Sequence, residues 1–351
     1  MTIKTIAVSI LLLFSSLICV GPVSAATTLI FGEAGPNRGA RAEAIRWFAD
    51  TLSERSNGEL RIRVLWGGVL YKANASAQSI SNGVADLGSV IAIEFPQEMV
   101  AYGIADLPLD NPDAWVGMRA TDELMRSSPE VTENLAEKNL TYIGTFTASA
   151  VHIGCKGEPI RSIADIKGKK IRGTGAYGKV FSQLGGNMIG MRFYEAYKGL
   201  DTGLIDCTQT YAYAVPALKQ QEVIDSFTLL NWGQVGGLGI LMNKTVFDSL
   251  DSELQNMLLD VGRSMVDEFG RLITNGNQRA LQVMQQAGVE IIDFDKDGRL
   301  QLIEASQEHI DAWVRRATAS GLNGEALLAR YRQLIAKYTK LRDTHGYPWT
   351  E

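Results

Sequence analysis

Arg172 ends the short charged run Lys169-Lys170-Ile171-Arg172 and opens a glycine-rich stretch. A guanidinium placed there can grip a carboxylate through two parallel hydrogen bonds, which an ammonium does poorly. The plainer alternative is an ion pair with Asp165 or Asp206. Gly173-Thr174-Gly175-Ala176-Tyr177-Gly178 comes next and matches the GxGxxG pattern, whose glycines admit a pyrophosphate to a helix N-terminus. The strand before it is too short and too charged for the buried first strand of a dinucleotide fold. These glycines are therefore read as a close approach to some other ligand, or as a tight turn. Asp293, Asp295, Asp297, Gly298 and Glu304 have calcium-loop spacing. The segment before Asp293 reads as a strand, however, and acidic residues in a first helical turn, where they oppose the dipole, explain the run more simply.

Catalytic patterns are mostly absent. There is no HExxH, CxxC, GxSxG or P-loop, and the three histidines, His152, His309 and His345, lie in unrelated contexts. That weakens a hydrolase reading without excluding it, because triads are defined by geometry. A net charge of −5 argues against nucleic acid, which needs a basic face to neutralise phosphates. With 46% hydrophobic and 21% charged residues over 351 positions, the composition is that of a soluble globular protein large enough for two lobes.

The N-terminus carries Lys4, an apolar run from Ile6 to Val20, and Val23-Ser24-Ala25. This is the pattern of a secretory signal spanning residues 1–25, cleaved after Ala25, and the apolar run is short for a spanning helix. The protein is thus expected in the periplasm. Export leaves Cys155 and Cys207 free to form a bridge or to remain buried thiols; spacing does not choose between them.

These residues need a scaffold, and hydrophobic periodicity supplies one. Leu29–Phe31 predicts a strand. Ala44, Ile45, Phe48, Ala49 and Leu52 mark one face of a helix ending at Asn57-Gly58, and Leu60, Ile62 and Val64 alternate with Arg61 and Arg63 as a half-buried strand does. Strand and helix continue to alternate, predicting α/β architecture with largely parallel sheets. From Leu254 to Met284 the apolar residues keep a helical period. They form either one helix of about 35 residues, roughly 50 Å long, or two helices split at Asn275-Gly276. Amphipathic helices are predicted over Leu300–Thr318 and Glu325–Arg342.

The run from Pro159 to Asp206 closely resembles the substrate-binding proteins of TRAP transporters, the DctP-like family. Lys167-Gly168-Lys169-Lys170-Ile171-Arg172, Phe193-Tyr194-Glu195-Ala196-Tyr197 and Leu200-Asp201-Thr202-Gly203-Leu204-Ile205-Asp206 fall at the family's distances. Gly58-Glu59-Leu60, Gly83 with Asp86, and Leu107-Pro108 match as well, so the likeness covers most of residues 28–320. The resemblance implies an α/β, two-lobed periplasmic-binding-protein-like fold with a hinge and a long helix spanning both lobes. The lobes are expected as 26–149 plus 236–277 and 150–235 plus 278–351.

It further implies a small organic acid in the cleft, with Arg172 as its carboxylate anchor and Phe193 packing on its body. The expected partners are the ligand and the TRAP permease membrane subunits, with no nucleic acid, no cofactor, no metal and no catalytic residue, and the protein a monomer. Departures from the family bear on specificity. Thr210 stands where relatives carry a ligand-binding Asn, His152 where some carry a second Arg, and Trp232 where many carry His. Glu33 and Glu94 are candidate cleft acids, and Trp66 enters a loop within reach of the cleft. Two readings compete: an exported enzyme using His152 with a cleft acid, and a ligand-sensing module for a receptor.

Overall fold

The computed structural model describes residues 26–350; the predicted signal segment 1–25 lies outside them. In chain order the first elements are β1 (Thr27–Gly32), α1 (Ala40–Arg55), β2 (Leu60–Leu65), α2 (Ser76–Ser81) and β3 (Leu87–Ile91). Then come α3 (Ala114–Ser127), α4 (Pro129–Ala136), β4 (Leu140–Phe146), β5 (His152–Cys155), β6 (Lys170–Arg172) and α5 (Gly175–Gln183). The next are β7 (Asn187–Met188), α6 (Ala196–Asp201), β8 (Cys207–Thr210), α7 (Ala214–Ala217), β9 (Ser226–Leu229) and β10 (Leu238–Asn243). The described chain closes with α8 (Lys244–Ser249), α9 (Ser252–Gln286), β11 (Glu290–Asp293), α10 (Lys296–Ala319) and α11 (Gly324–His345).

Two sheets result, one per lobe, in the orders β2-β1-β3-β10-β4 and β11-β9-β5-β8-β6-β7. The expected α/β class and two-lobed plan hold, but the sheets are mixed rather than largely parallel. β10 runs antiparallel to β3 and β4, and β5 runs antiparallel to β8 and β9. Both follow a crossing: the chain leaves β4 to enter the second sheet as β5 and leaves β9 to re-enter the first sheet as β10. Periodicity missed β9 and β10 for a physical reason. β10, Leu238-Gly239-Ile240-Leu241-Met242-Asn243, is buried at every position, so it carries no alternation.

The two crossings lie side by side. Ala148 N–H donates to the Val235 carbonyl (2.8 Å), Val151 N–H to that of Gly233 (3.1 Å), and Ala150 bridges Gln234. The Thr147 hydroxyl donates to Gln234 Oε1 at 2.6 Å. A two-stranded ribbon of this kind can twist without opening either core.

The third connection is α9, a single helix of 35 residues, unbroken at Asn275-Gly276. A glycine costs a helix interior about 1 kcal/mol, and tertiary contacts offset it: Asn277 Oδ1 accepts from Tyr213 N–H (3.0 Å) while its amide donates to Ser149 (2.9 Å). α9 packs on α1, α3 and β4 in one lobe and on α7 and β11 in the other. It lies so close to β4 that a Cβ on Gly262 or Gly144 would strike the other element's backbone.

Other expectations resolve locally. Cys155 and Cys207 are paired residues of β5 and β8 and form a disulfide. The acidic run after β11 is a helix start, with Asp295 accepting from Gly298 N–H at 2.7 Å to cap α10. In the GxGxxG turn, a Cβ on Gly173 would lie 2.9 Å from the Gly178 Cα, and Gly175 has φ +59° against Ile93 of the first lobe. These glycines serve close packing. The tail beyond 295 divides: α10 packs on α5 of the second lobe, as expected, and on α11, which belongs with the first. α11 packs on α3, and Leu327, Leu328, Tyr331 and Leu334 share a core with Val100, Tyr102 and Leu124. Its apolar face is satisfied by the nearest uncovered helix, whichever lobe owns it.

Candidate ligand-binding site

Parallel strands deliver their C-terminal ends to one edge of a sheet, and open α/β sheets bind ligands in the crevice there. Both sheets present that edge to the same cleft. The segments following β1, β2 and β3 bring Ala34, Gly67, Ile91, Ile93 and Glu94, while β6 and β8 bring Arg172 and Tyr211. The crossings add Ala148, Val235 and Leu238, and the turn Phe193–Glu195 closes the far wall. The cavity has a volume of about 220 Å³.

Arg172 is the central cation. It is 3% exposed, its Nε donates to the Met191 carbonyl (3.2 Å) and its Nη1 to that of Gln209 (3.3 Å). Neither acid considered as an ion-pair partner serves it. Asp206 pairs with Lys170 at 3.4 Å, and Asp165 accepts from Ser162 N–H at 2.8 Å to cap its own turn. Among the described residues Arg172 forms no ion pair. Burial lowers its pKa, with Tyr211 and Glu94 opposing. Two of five guanidinium donors are engaged by carbonyls, which leaves the cleft-facing ones for an external acceptor.

The guanidinium carbon lies 5.1 Å from the Phe193 ring centroid, and Phe193 meets Tyr211 edge-on at 5.5 Å. With Ile91, Ile93, Val235 and Leu238 these rings give an apolar slot capped by a positive charge. Glu94 lines the slot as a hydrogen-bond acceptor. Burial raises the Tyr213 hydroxyl to about 12 and Tyr211 further, so both are neutral donors.

Of the remaining sequence candidates, the structure places five away from the slot. His152 and Thr210 are opposite residues of β5 and β8. They share the sheet face that carries Phe227 and Ile224: the His152 ring meets Phe227 at 5.2 Å and the Thr210 hydroxyl donates to Gln220 Oε1 at 2.7 Å. Strand alternation places the adjacent Gln209 and Tyr211 on the other face, where Gln209 Oε1 accepts from Thr174 N–H at 2.9 Å. His152 is therefore no cleft base; burial holds it neutral, with a pKa lowered to about 3.

Trp232 is fully buried against Tyr177 and Phe181, and its Nε1 donates to Ser306 at 3.1 Å. It is core. Glu33 sits behind the wall, accepting from Gly35 N–H, Ser89 and Arg41 Nη2, the last at 2.9 Å. Trp66 packs on the core.

Sequence reasoning missed Tyr211 and also Arg41, the second position of α1. It lines the slot, pairs with Glu33 and donates to the Tyr194 hydroxyl across the cleft. Its pKa is raised: Glu33, Tyr194 and Tyr213 outweigh the burial that opposes them. No local signal marked it, because its pairing with Glu33 and Tyr194 spans two lobes.

Two α/β lobes, a two-stranded ribbon between them and a cationic aromatic slot at the strand ends are the architecture of a two-lobed solute-binding protein. Residues 31–316 match DctP, the bacterial extracellular solute-binding protein family 7, and the chain belongs to that family. It is similar to the 2,3-diketo-L-gulonate-binding periplasmic protein YiaO of Escherichia coli, 26% identical over 275 residues, covering 78% of this chain and 83% of that one. Among solved structures it is similar to a marine-metagenome TRAP solute-binding protein specific for aromatic acids, in complex with 3-hydroxybenzoate. That pair has a TM-score of 0.81 and 22% identity, covering 90% of this chain and 99% of that one. A TRAP solute-binding protein of Rhodoferax ferrireducens, with copurified benzoate, gives a TM-score of 0.81 and 20% identity, covering 90% and 99%.

Proposed function

We propose that this protein captures a small monocarboxylate with an aromatic or other flat apolar body and delivers it to the membrane subunits of a TRAP transporter. The observation that carries the reading is Arg172, a buried guanidinium at the end of the slot whose partners are two carbonyls and no acid. A ligand carboxylate supplies the missing counter-charge, and the Phe193 and Tyr211 rings flank the ligand's apolar body.

One carboxylate is favoured over two because, of the other cations lining the slot, Arg41 is neutralised by Glu33, Arg192 pairs with Glu195, and the exposed Lys72 bonds the Gly68 carbonyl, which leaves Arg172 as the buried cation without an acid. Glu94 favours a ligand hydroxyl or amine near the carboxylate. The relatives that bind benzoate and 3-hydroxybenzoate are consistent with this class.

The mechanism is closure about the Ala148–Val151 and Gly233–Val235 ribbon. Residues 26–149 with 236–277 move against 150–235, and a ligand touching both lobes shifts the population toward the closed state by its greater affinity for it. Export through the 1–25 signal, a monomeric state and docking of the closed form on the permease belong to this proposal. The enzyme reading lacks its base, since His152 is turned away from the slot.

Calorimetry with benzoate, 3-hydroxybenzoate, mandelate, succinate and benzamide tests it. An aromatic monocarboxylate should bind, be recovered unchanged, and lose binding in Arg172→Ala. Equal binding of benzamide, or tighter binding of succinate, would refute it.

A further inference from the structure

A second cavity, of about 410 Å³, shares Ile93 with the ligand slot. Its walls come from three places: the 92–107 stretch of the first lobe, the first turn of α5 in the second, and α10. Among the described residues seven buried side-chain atoms lack any hydrogen-bond partner, and three of them, Asp106 Oδ2, His309 Nε2 and Arg316 Nε, belong to residues lining this one cavity. Those atoms are themselves closed to solvent, so what an occupant can meet is the rest of each side chain and the basic lining around it.

The chemistry of the lining is cationic. Lys179, His309 and Arg316 line the cavity, and none of them forms an ion pair among the described residues. No side chain caps α5 at Thr174, so the first-turn N–H groups at Gly175 and Ala176, which also line the cavity, are left for an outside acceptor.

Asp106 is 6% exposed; its Oδ1 accepts from Gly237 N–H at 2.8 Å. Burial pushes it up to about 7, against the Gly237 and Gly236 N–H groups that lower it, which weakens its repulsion of an anion in the seam. His309 is lowered by burial, raised by Glu308, and lowered again by Lys179 and Arg316, which places three basic groups close together.

We infer that this seam is a second binding site, for a small oxyanion held by Lys179, Arg316, His309 and the N-terminus of α5. Phosphate, sulfate and compact carboxylates share the required chemistry. The GxGxxG turn then acts through its backbone: Gly175 at φ +59° lets the chain press on Ile93 while the next N–H groups face the anion. Because the walls belong to both lobes, an occupant ties α5 to α10 and the 92–107 stretch and favours the closed arrangement.

Calorimetric titration of the full mature chain with inorganic phosphate tests the site, with sulfate and acetate as parallel arms at constant ionic strength. Saturable binding of one phosphate per chain is expected, weakened about tenfold or more by Lys179→Met and by Arg316→Met, and unchanged by Arg172→Ala. Lys179 is exposed, so its variant should fold and keeps the test decisive if Arg316→Met does not. The arm that binds tightest identifies an inorganic or a carboxylate source. No saturable heat in any arm up to about 10 mM, binding unaffected by Lys179→Met, or binding abolished only by Arg172→Ala would overturn the inference.

Discussion

Replacing Arg172 with Met separates a ligand anchor from a structural cation. In the unliganded protein the guanidinium is almost fully buried and bonded to two carbonyls. Holding a cation out of water costs several kcal/mol even after relaxation, and two charge-assisted bonds return about 1.5–3 kcal/mol each. The two effects nearly cancel, so the unliganded Arg172→Met protein should unfold within about 1 kcal/mol of the parent. Ligand binding should behave differently. Losing a bidentate carboxylate contact removes two charge-assisted bonds, about 3–6 kcal/mol, or about a hundred- to ten-thousand-fold in Kd.

Arg172→Lys keeps the charge but not the planar fork, and should fall between. Urea unfolding without ligand gives the first quantity and calorimetry with the best-binding aromatic acid the second. If stability falls by about 3 kcal/mol or more, as when a buried ion pair is broken, while affinity survives, the cation is structural and the binding argument fails.

Other perturbations test other parts of the structure. Burial holds His152 at about 3 against an ordinary 6.5, so its contribution is full above pH 6.5 and is lost as pH falls toward 3. Asp106, raised by burial from 3.8 to about 7, contributes fully below pH 3.8 and loses that contribution as pH rises to 7. The slopes oppose each other between pH 4 and 6.5 at about 1.4 kcal/mol per pH unit each. Relative to the parent, His152→Leu should therefore lose stability as pH rises and Asp106→Asn as pH falls; parallel pH curves for parent and variants would contradict both assignments. The Cys155–Cys207 bridge closes a loop of sequence separation 52, and the Cys155→Ser, Cys207→Ser double variant should lose about 4 kcal/mol in urea unfolding. An unchanged midpoint would count against the bridge. Trp232→Phe gives up the bond to Ser306 and should cost about 1–3 kcal/mol with Kd unaltered; weakened binding at full stability would return Trp232 to the slot.

Much of the scaffold was legible in the chain. The helical period from Leu254 to Met284 corresponds to α9, the alternation at Leu60–Val64 to β2, and the motif ending at Arg172 to the end of β6 at the cleft. Phe193 and Glu94 also reached the slot. Such features are local: a few neighbouring residues encode the period, and the period decides which face is buried.

His152, Thr210, Trp232 and Glu33 lie outside the slot for reasons the linear chain does not carry. For Thr210 the difference between core and cleft is one step of strand alternation. Glu33 is taken by Arg41, a partner that reaches the slot only after α1 folds back behind β1.

The order of residues thus determined the class of architecture, the helical period later found in α9 and the cation at the strand end, because each depends on interactions within a few turns or on a contiguous motif, while the structure decided that α9 runs unbroken. Only the tertiary structure decided which residues line the slot, that Cys155 meets Cys207, that α11 covers the first lobe, and that Lys179, His309 and Arg316 share a cavity with Asp106. Those neighbours are far apart in the chain, and what brings them together is the burial of apolar faces elsewhere.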